Sequence, residues 1–351
     1  MACPIKLLVL CIDPLMPRYM GPSAMNFDIS FSVVIPLFNK AAYIEAALDS
    51  VVSQDVAGVE ILIVDDGSTD GGADRVEHWM ARRHIEAGTI IRLIRQENSG
   101  VSAARNTGLL EARGRLIAFL DADDRHCPGF LATMLRLEQA YPAAGLLCAA
   151  YWLCWADGRR MPRMRANMRT GQTGTIESFH ALWSRGAFTH TNSIVLRRSV
   201  ILEHGFIFVV GETHGEDQDM WFKMAEVTPV AFVNSALTEY RMEVAGSAMQ
   251  SARLIEMLPA YLRLEQRLLT GNIPSQLRSG ARQLMSVHRI NVAVARLDRG
   301  DVAGAADLLF APGASLRAVY WLRTLARCAF MYLRRLGRAS AQMSCDLHRK
   351  E

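Results

Sequence analysis

The chain has 351 residues and a mass of 39.0 kDa, enough for one large domain and a smaller appendage. With 50% hydrophobic and 21% charged residues, its composition is that of a globular protein and excludes a disordered, collagenous or coiled-coil chain. The formal net charge is +4, but residues 314–351 alone carry eight Lys or Arg against two acidic residues. The basicity is therefore local, which argues against a nucleic-acid-binding protein.

The cysteines and the N-terminus favour a cytoplasmic protein. The seven Cys form an odd set without a C-x-x-C pair, which suggests neither a disulfide framework nor a zinc site. No stretch approaches the roughly 20 apolar residues that a membrane-spanning helix needs. Residues 5–12 are apolar apart from Lys6, but Asp13 and Pro14 end the run. This segment is either a weak signal-peptide core or part of a poorly structured extension over residues 1–30, and we favour the extension.

Strand and helix patterns alternate from residue 31 onward. The predicted strands are 31–35, 59–64, 90–94 and 116–120, and the predicted helices are 41–54, 74–87, 102–112 and 128–140. Beyond residue 250 only helical patterns follow, over 252–269, 275–299 and 302–309. The alternation predicts an α/β fold, with a mostly parallel sheet flanked by helices, over residues 31–245 and a helical region over 246–351.

Polar clusters follow three of the predicted strands. They are Pro36 to Asn39, Asp65 to Asp70, and Asp121 to Asp124. Each cluster alone is as typical of a turn or a helix cap as of a site. Together they lie at the carboxyl ends of the strands, where ligands of such sheets bind. Asp121 and Asp123 alternate by two and can converge on one cation, so the pattern predicts a site for Mg²⁺ or Mn²⁺ with a diphosphate.

Five segments in this order resemble family 2 glycosyltransferases of GT-A fold, in particular those of bacterial cell-surface polysaccharides. They are residues 32–39, 64–70, 97–108, 121–124 followed by Pro128, and 215–221. Members of that family transfer a sugar from a nucleotide diphosphate sugar to an acceptor hydroxyl, usually with inversion. The resemblance implies this activity here, with a UDP-sugar as donor and a saccharide or a lipid-linked molecule as acceptor, in surface polysaccharide or glycolipid synthesis.

The resemblance also assigns site residues by position. It places the nucleotide-sugar pocket at Pro36, Phe38, Asn39, Asp65, Asp66, Asn98, Gly100, Arg105, Asn106 and Asp121. One Asp of the 65–66 pair would accept a hydrogen bond from a uracil-like base, and the Arg105 guanidinium would face phosphate unless it is only a helix-surface arginine. Asp123 is expected to coordinate the metal directly, Asp121 to contact metal or ribose, and Asp124 to serve the strand end. The metal would stabilise the charge of the leaving nucleoside diphosphate.

Glu216 and Asp217 match the acidic pair that supplies the catalytic base in such enzymes. An acceptor hydroxyl needs a carboxylate to take its proton, and we predict Asp217 as that base, with Glu216 and Asp219 orienting it or binding acceptor. Acidic residues here also favour a helix N-terminus, and both interpretations can hold. Where relatives often place a His ligand, this chain has Glu243, so the third metal ligand stays open.

Other interpretations stay open as well. A sugar-phosphate nucleotidylyltransferase also uses a parallel sheet and Mg²⁺, but its Gly-rich, Lys-containing loop is absent after the first strand. A catalytically silent carbohydrate-binding or assembly protein could keep the same fold. Residues 150–215 should select the acceptor, and the basic run Arg159–Arg169 fits either an anionic acceptor or lipid phosphate, or else a solvated loop.

The last predicted helix, over residues 316–338, is basic and amphipathic. Six arginines fall within about a third of the helical wheel, opposite Leu322, Leu325, Leu333 and Leu336. Such a helix can lie on an anionic membrane surface, here the cytoplasmic face. It can equally dock on the catalytic domain and leave its basic face in solvent.

Overall fold

The computed structural model describes residues 29–83, 88–212, 214–244 and 255–347, with side chains as far as residue 333. The extension predicted over residues 1–30 therefore lies outside the described residues, except for its last two positions. The strands are β1 Phe31–Leu37, β2 Val59–Asp65, β3 Thr89–Arg95, β4 Leu116–Phe119, β5 Arg125–His126, β6 Leu146–Cys154, β7 Arg160–Arg163, β8 Thr173–Ile176, β9 Ile194–Arg197 and β10 Val230–Arg241. The four predicted strands are confirmed, with their ends shifted by at most two residues.

The helices begin and end where local chemistry favours it. They are α1 Ile44–Val52, α2 Gly72–Arg82, α3 Val101–Glu111, α4 Phe130–Ala140, α5 Phe179–Trp183, α6 Arg198–His204, α7 Glu216–Val227, α8 Pro259–Leu269, α9 Ser275–Asp298, α10 Val302–Phe310 and α11 Ala318–Leu347. Pro259 opens α8, where its missing N–H costs nothing. The Asp301 side chain caps α10 by accepting from the Gly304 N–H at 2.9 Å.

The strands of the described residues form one sheet in the order β3-β2-β1-β4-β9-β6-β10-β5, with β7 on β6 and β8 on β10. β3, β2, β1 and β4 are parallel, as the alternation of strand and helix predicts. β9 runs antiparallel to β4 and β6, while β10 is parallel to β6. The sheet is thus parallel in its first half and mixed in its second, and the carboxyl ends of β1, β2 and β4 share one edge.

Each face of the sheet is covered by helices. Residues of α1, α2 and α4, including Leu48, Trp79 and Phe130, form a core on one face. On the other face, α3 and α7 pack with residues such as Leu109 and Trp221. Both layers bury apolar side chains almost completely, which holds the polar strand ends in fixed relative positions.

The core of the second face continues past the predicted boundary at residues 245 and 246. Ala260 and Leu264 of α8 and Leu284 of α9 belong to the same cluster as Trp221. Arg263 donates to Asp219 at 2.8 Å and Arg267 donates to Glu226 at 2.8 Å, which joins α8 to α7. The α/β part and the helical part therefore share one core, although their division into two domains stays a prediction.

The remaining helices form a smaller apolar cluster. Cys328 and Leu325 of α11 pack with Ile290 and Leu297 of α9 and with Leu309 of α10. Within the part of the chain that the structure describes, no single helix is long and apolar enough to cross a membrane. A sharply bent pair, residues 302–310 with 314–333, meets that test by length and composition only.

Candidate active site

The loops that follow β1 and β2 are tied together by Asn39. Its side-chain oxygen accepts from the Thr69 N–H at 2.8 Å, and its own N–H donates to the Ser68 hydroxyl at 3.1 Å. Asn39 has a positive φ of 51°, a conformation that Asn tolerates better than most residues. Pro36 lies in β1, and the ring of Phe38 is 45% exposed beside this junction. An exposed aromatic ring next to a rigid double loop is suited to contact a planar ligand.

The two carboxylates of the Asp65–Asp66 pair have different surroundings. Asp66 is saturated: it accepts from the Gln96 side chain at 2.7 Å, from the Ser99 N–H at 2.9 Å and from the Gly100 N–H at 2.8 Å. Asp65 accepts one hydrogen bond among the described residues, from the Ser68 N–H at 3.2 Å. Asp66 thus holds the loop that precedes α3, while Asp65 keeps acceptor capacity for a ligand.

The loop before α3 approaches the β2 end closely. A Cβ added to Gly67 would lie 3.1 Å from the backbone nitrogen of Asn98, so a larger residue would push the two loops apart. Asn98 itself is exposed on this wall. Gly100 caps α3 with a φ of 89°, in the region that favours glycine. These contacts hold the loop before α3 against the end of β2, at the edge of the sheet where the carboxyl ends of the parallel strands lie.

Arg105 connects the D-x-D loop with the start of α7. Its guanidinium donates to Asp121 at 3.0 Å and to Glu216 at 2.8 Å, although 111 residues separate Arg105 from Glu216. The side chain is only 5% exposed, so Arg105 is not a helix-surface arginine. Burial alone would lower the pKa of Arg105, but the charges of Asp121, Glu216 and Asp217 raise it above its ordinary value. Arg105 therefore stays charged and bridges the two acidic segments.

The three carboxylates of the D-x-D loop are held in three different ways. Asp121 pairs with Arg105, and Asp123 pairs with Lys40 at 3.1 Å. Asp124 is buried and accepts from the Arg241 N–H at 2.7 Å and from the Asn192 side chain. Burial, and then the charges of Asp123 and Asp121, raise the pKa of Asp124 well above its ordinary value. Asp124 thus ties the D-x-D loop to the end of β10 and to the segment before β9.

Asp121 and Asp123 each pair with a cationic side chain and keep some acceptor capacity. Within the described residues, one oxygen of each carboxylate carries no hydrogen bond, and hard oxygen ligands are what such cations prefer. No group of three or more His, Cys, Asp or Glu side chains in the described part of the chain is arranged to hold a metal ion. The two carboxylates would therefore share the metal with phosphate and water oxygens, a common arrangement for Mg²⁺.

Asp217 lies at the N-terminus of α7 with a fixed carboxylate. The Thr191 hydroxyl donates to one of its oxygens at 2.6 Å, and the Gln218 N–H donates to the other at 2.8 Å. Its neighbour Glu216 is committed to Arg105. Burial, and then the charge of Asp217, raise the pKa of Glu216, and Arg105 opposes that rise. Of the two acidic residues, Asp217 is the one without a cationic partner among the described residues.

The segment before β9 links the D-x-D loop to Asp217. Asn192 is fully buried, accepts from the Asp121 N–H at 2.8 Å and donates to Asp124, while Thr191 holds Asp217. The ring of His190 lies against that of Tyr240, with 4.3 Å between centroids. Two consecutive residues, Thr191 and Asn192, thus contact both acidic segments.

Comparison with known proteins identifies the family. The model of the family described as Glycosyl transferase family 2 matches residues 32–205. The chain belongs to glycosyltransferase family 2. The matched segment contains four of the five motif segments and the Thr191–Asn192 link, and α7 follows it.

A curated relative of this chain is also a glycosyltransferase by name. The uncharacterized glycosyltransferase YibD of Escherichia coli is 31% identical over 194 residues, which are 54% of this chain and 55% of YibD. This family 2 chain thus spans about half the length of that relative.

Two solved structures have the same fold. TarS of S. aureus, residues 1–349 in complex with UDP-GlcNAc, has a TM-score of 0.61 at 16% identity, over 86% of this chain and 89% of that one. The mannosyltransferase PcManGT of Pyrobaculum calidifontis, in complex with GDP-Man and Mn²⁺, has a TM-score of 0.57 at 18% identity, over 89% and 88%. The fold of this glycosyltransferase is therefore GT-A.

Two residues of this family 2 member have contacts that do not support their predicted roles. The Asn106 amide nitrogen donates to the Phe208 carbonyl, and its oxygen accepts from the Phe208 N–H, at 2.8 Å each. The predicted contact of Asn106 with the nucleotide sugar therefore lacks geometric support. Asp219 is 1% exposed and pairs with Lys223, Arg263 and Arg267. Asp219 joins α7 to α8 and is not available to an acceptor.

Thr191, Asn192 and Lys40 form contacts in the cleft that the sequence pattern did not reveal. Thr191 and Asn192 precede a short strand in a segment without a motif, and their partners lie 26 to 71 residues away. Lys40 could have been suspected, because it directly follows the Asn39 motif. The roles assigned to the other site residues stay predictions.

Proposed function

We propose that this protein transfers a sugar from a nucleotide diphosphate sugar, a UDP-sugar in the first instance, to an acceptor hydroxyl. The contact chain from Asp121 through Arg105 to Glu216, with Asp217 beside it, carries this proposal. Glycosyl transfer needs a leaving diphosphate and a base on the acceptor within one cleft. The Arg105 guanidinium contacts both the D-x-D loop, for the diphosphate, and the N-terminus of α7, for the base. These two functions therefore lie close together.

The donor side of the cleft fits a nucleotide. Asp65 keeps acceptor capacity for the imide N–H of a uracil-like base, and Phe38 offers an exposed ring. Asp121 and Asp123 would hold Mg²⁺ or Mn²⁺, which when bound stabilises negative charge on the leaving diphosphate. TarS with UDP-GlcNAc and PcManGT with GDP-Man and Mn²⁺ support a nucleotide-sugar donor and a divalent metal.

The acceptor side supports inversion with Asp217 as the base. A single displacement inverts the anomeric centre and needs one carboxylate to take the acceptor proton. Retention through a covalent intermediate would need a second carboxylate as nucleophile. Glu216 is neutralised by Arg105, which leaves Asp217, oriented by Thr191, as the base.

Release of nucleoside diphosphate from a panel of nucleotide sugars tests the proposal. We expect metal-dependent release with at least one donor, and a 10²–10⁴-fold loss of transfer in Asp217→Asn with donor binding retained. Asp123→Ala should lose metal-dependent donor binding. Glu203→Gln, on the exposed surface of α6, is the matched control. Tight donor binding without any turnover in the unaltered protein would contradict the proposed activity.

We further propose that the protein works at the cytoplasmic face of a membrane, in surface polysaccharide or glycolipid synthesis. One side of α11 packs inward through Leu325 and Cys328, whereas Val319, Leu322 and Leu333 are more than half exposed. Arginines such as Arg323 adjoin these apolar residues. An apolar strip beside positive charge fits an anionic bilayer.

Co-sedimentation with vesicles tests the membrane contact. We expect binding to vesicles that contain phosphatidylglycerol, weaker binding to pure phosphatidylcholine, and loss of binding in the Leu322→Glu variant. Equal recovery of Leu322→Glu and the unaltered protein with anionic vesicles would contradict the membrane contact. A glycosyl-transfer assay in solution does not depend on that contact.

A further inference from the structure

The basic run of residues 159–169 does not form one uniform surface. Arg159 pairs with Asp157 at 2.6 Å, and Arg160 pairs with Glu239 at 2.7 Å. Among the described residues, no carboxylate pairs with Arg163, Arg165 or Arg169. The first part of the run is therefore neutralised within the chain, and the second part is not.

The second part, which we name the basic loop (residues 163–172), is ordered by a buried asparagine. Asn234 of β10 is fully buried; its side-chain oxygen accepts from the Arg165 N–H at 2.8 Å. Its amide donates to the carbonyl of Arg165 at 3.1 Å and to that of Met168 at 2.9 Å. Met164 and Met168 pack against the main core. The loop is thus held in place at no fewer than three points, which argues against a merely solvated loop.

Arg165 is half-buried within this fixed loop. Its guanidinium lies 5.9 Å from the ring of Phe232, and its Nε atom is buried without a hydrogen-bond partner. Burial of the Nε atom without a hydrogen bond in the described chain costs free energy, and the contact with an aromatic ring offsets that cost only in part. A guanidinium also matches the oxygens of phosphate and carboxylate groups in a forked geometry. Arg165 is therefore suited to an anion that the chain itself does not supply.

The basic loop adjoins the acceptor side of the cleft. Arg163 pairs in register with Tyr151, whose ring lies 5.6 Å from that of His190. His190 is followed directly by Thr191, the partner of Asp217. An acceptor bound at Asp217 can therefore extend over the basic loop.

We infer that the basic loop binds an anionic group, phosphate or carboxylate, of the acceptor, with Arg165 as the main contact and Arg163 and Arg169 beside it. This inference rests on the proposed function, because it names the acceptor class of that same site. It assigns the anion to the acceptor and not to the donor, since the proposed function assigns the donor diphosphate to the D-x-D loop.

Binding of defined oligosaccharide probes tests the inference. The probes are an oligomeric glycerol phosphate, an oligogalacturonate and a neutral malto-oligosaccharide, each titrated in the presence of UDP and Mn²⁺ at 0.15 M salt. We expect at least one anionic probe to bind at least tenfold more tightly than the neutral one. The phosphodiester and carboxylate arms identify which anion the loop prefers.

Variants locate that binding. Arg165→Gln should weaken binding of the anionic probe by about tenfold, and Arg165→Lys should weaken it less. Arg159→Gln, which removes a paired charge from the same run, should leave that binding unchanged. Equal weakening in Arg159→Gln and Arg165→Gln, a neutral probe that binds as tightly as both anions, or no binding by any probe overturns the inference. A melting curve of Arg165→Gln separates lost binding from lost folding.

The same experiment separates this inference from the proposed function. Release of nucleoside diphosphate without acceptor, measured on the unaltered protein and on the Arg159→Gln control, reports on the donor side alone. If the unaltered protein releases nucleotide but shows no preference for anions, the inference fails alone. If it releases nucleotide from no donor yet binds an anionic probe through Arg165, the proposed function fails and the binding site stands.

Discussion

The donor edge and the acceptor side of the cleft treat their polar groups differently. On the donor edge, Asn39, Asp66 and Arg105 each hydrogen-bond to another segment of the chain. On the acceptor side, Asn234 orders a loop whose arginines lack carboxylate partners in the described chain. Both sides are held by hydrogen bonds, but only the second leaves cationic side chains without an acidic partner among the described residues. Both sides are therefore ordered, and the unpaired arginines indicate where a ligand with negative charge would bind.

Breaking the central pair of the donor edge should have the largest effect. Arg105→Gln leaves the buried Glu216 and the partly exposed Asp121 without their cation, and we expect it to lower the free energy of unfolding by about 3–5 kcal/mol. Urea unfolding measures this. The matched control is Arg92→Gln, whose exposed pair with Glu111 should contribute less than about 1 kcal/mol. Similar losses of unfolding free energy in both variants would show that the ion pairs of Arg105 contribute no more than a surface ion pair does.

Removing the two buried asparagines tests whether the two sides are anchored independently. Asn192→Ala and Asn234→Ala each leave buried polar groups unpaired, and each should cost about 2–4 kcal/mol of unfolding free energy. Isothermal titration should show weaker donor binding in Asn192→Ala and unchanged donor binding in Asn234→Ala. Loss of donor binding in both variants would mean that the two loops act as one unit.

Acid should weaken both the sheet and the helical region. Burial lowers the pKa of His126, beside Asn192, and of His288, stacked on Tyr261, to about 4 each. Because the unfolded chain then binds more protons between pH 4 and about 6.5, stability should rise with pH there by about 1.4 kcal/mol per unit for each His. Unfolding of His288→Gln across this range should show a smaller slope than the unaltered protein. An unchanged slope would contradict the assignment.

The smallest expected effect concerns the orientation of the base. Thr191→Val removes the hydroxyl that donates to Asp217 and keeps the side-chain shape, so we expect a stability change near 1 kcal/mol. The turnover number should fall about tenfold with little change in KM, and Thr191→Ser should restore it. A rise in KM with unchanged turnover would instead make Thr191 an acceptor contact.

Much of the fold and part of the site followed from the sequence. The strand and helix periods located β1 to β4 within two residues, and the polar clusters after them marked the edge that carries the cleft. These features depend on neighbours in the chain, and hydrophobic periodicity and turn chemistry are local. The mixed second half of the sheet was not predicted, because the pairing of β9 with β4 and β6 joins distant segments.

The sequence by itself determined which residue types meet at the edge of the sheet, and with them the glycosyltransferase family. Only the tertiary structure decided which of those side chains are already engaged: both polar atoms of Asp66 and of Asn106 hydrogen-bond within the chain, whereas Asp65 and Arg165 keep more capacity for a ligand. The reason is physical. Whether a buried polar group is satisfied depends on partners that chain folding brings from up to 117 residues away, as with Asp124 and the Arg241 N–H, and no local pattern records them.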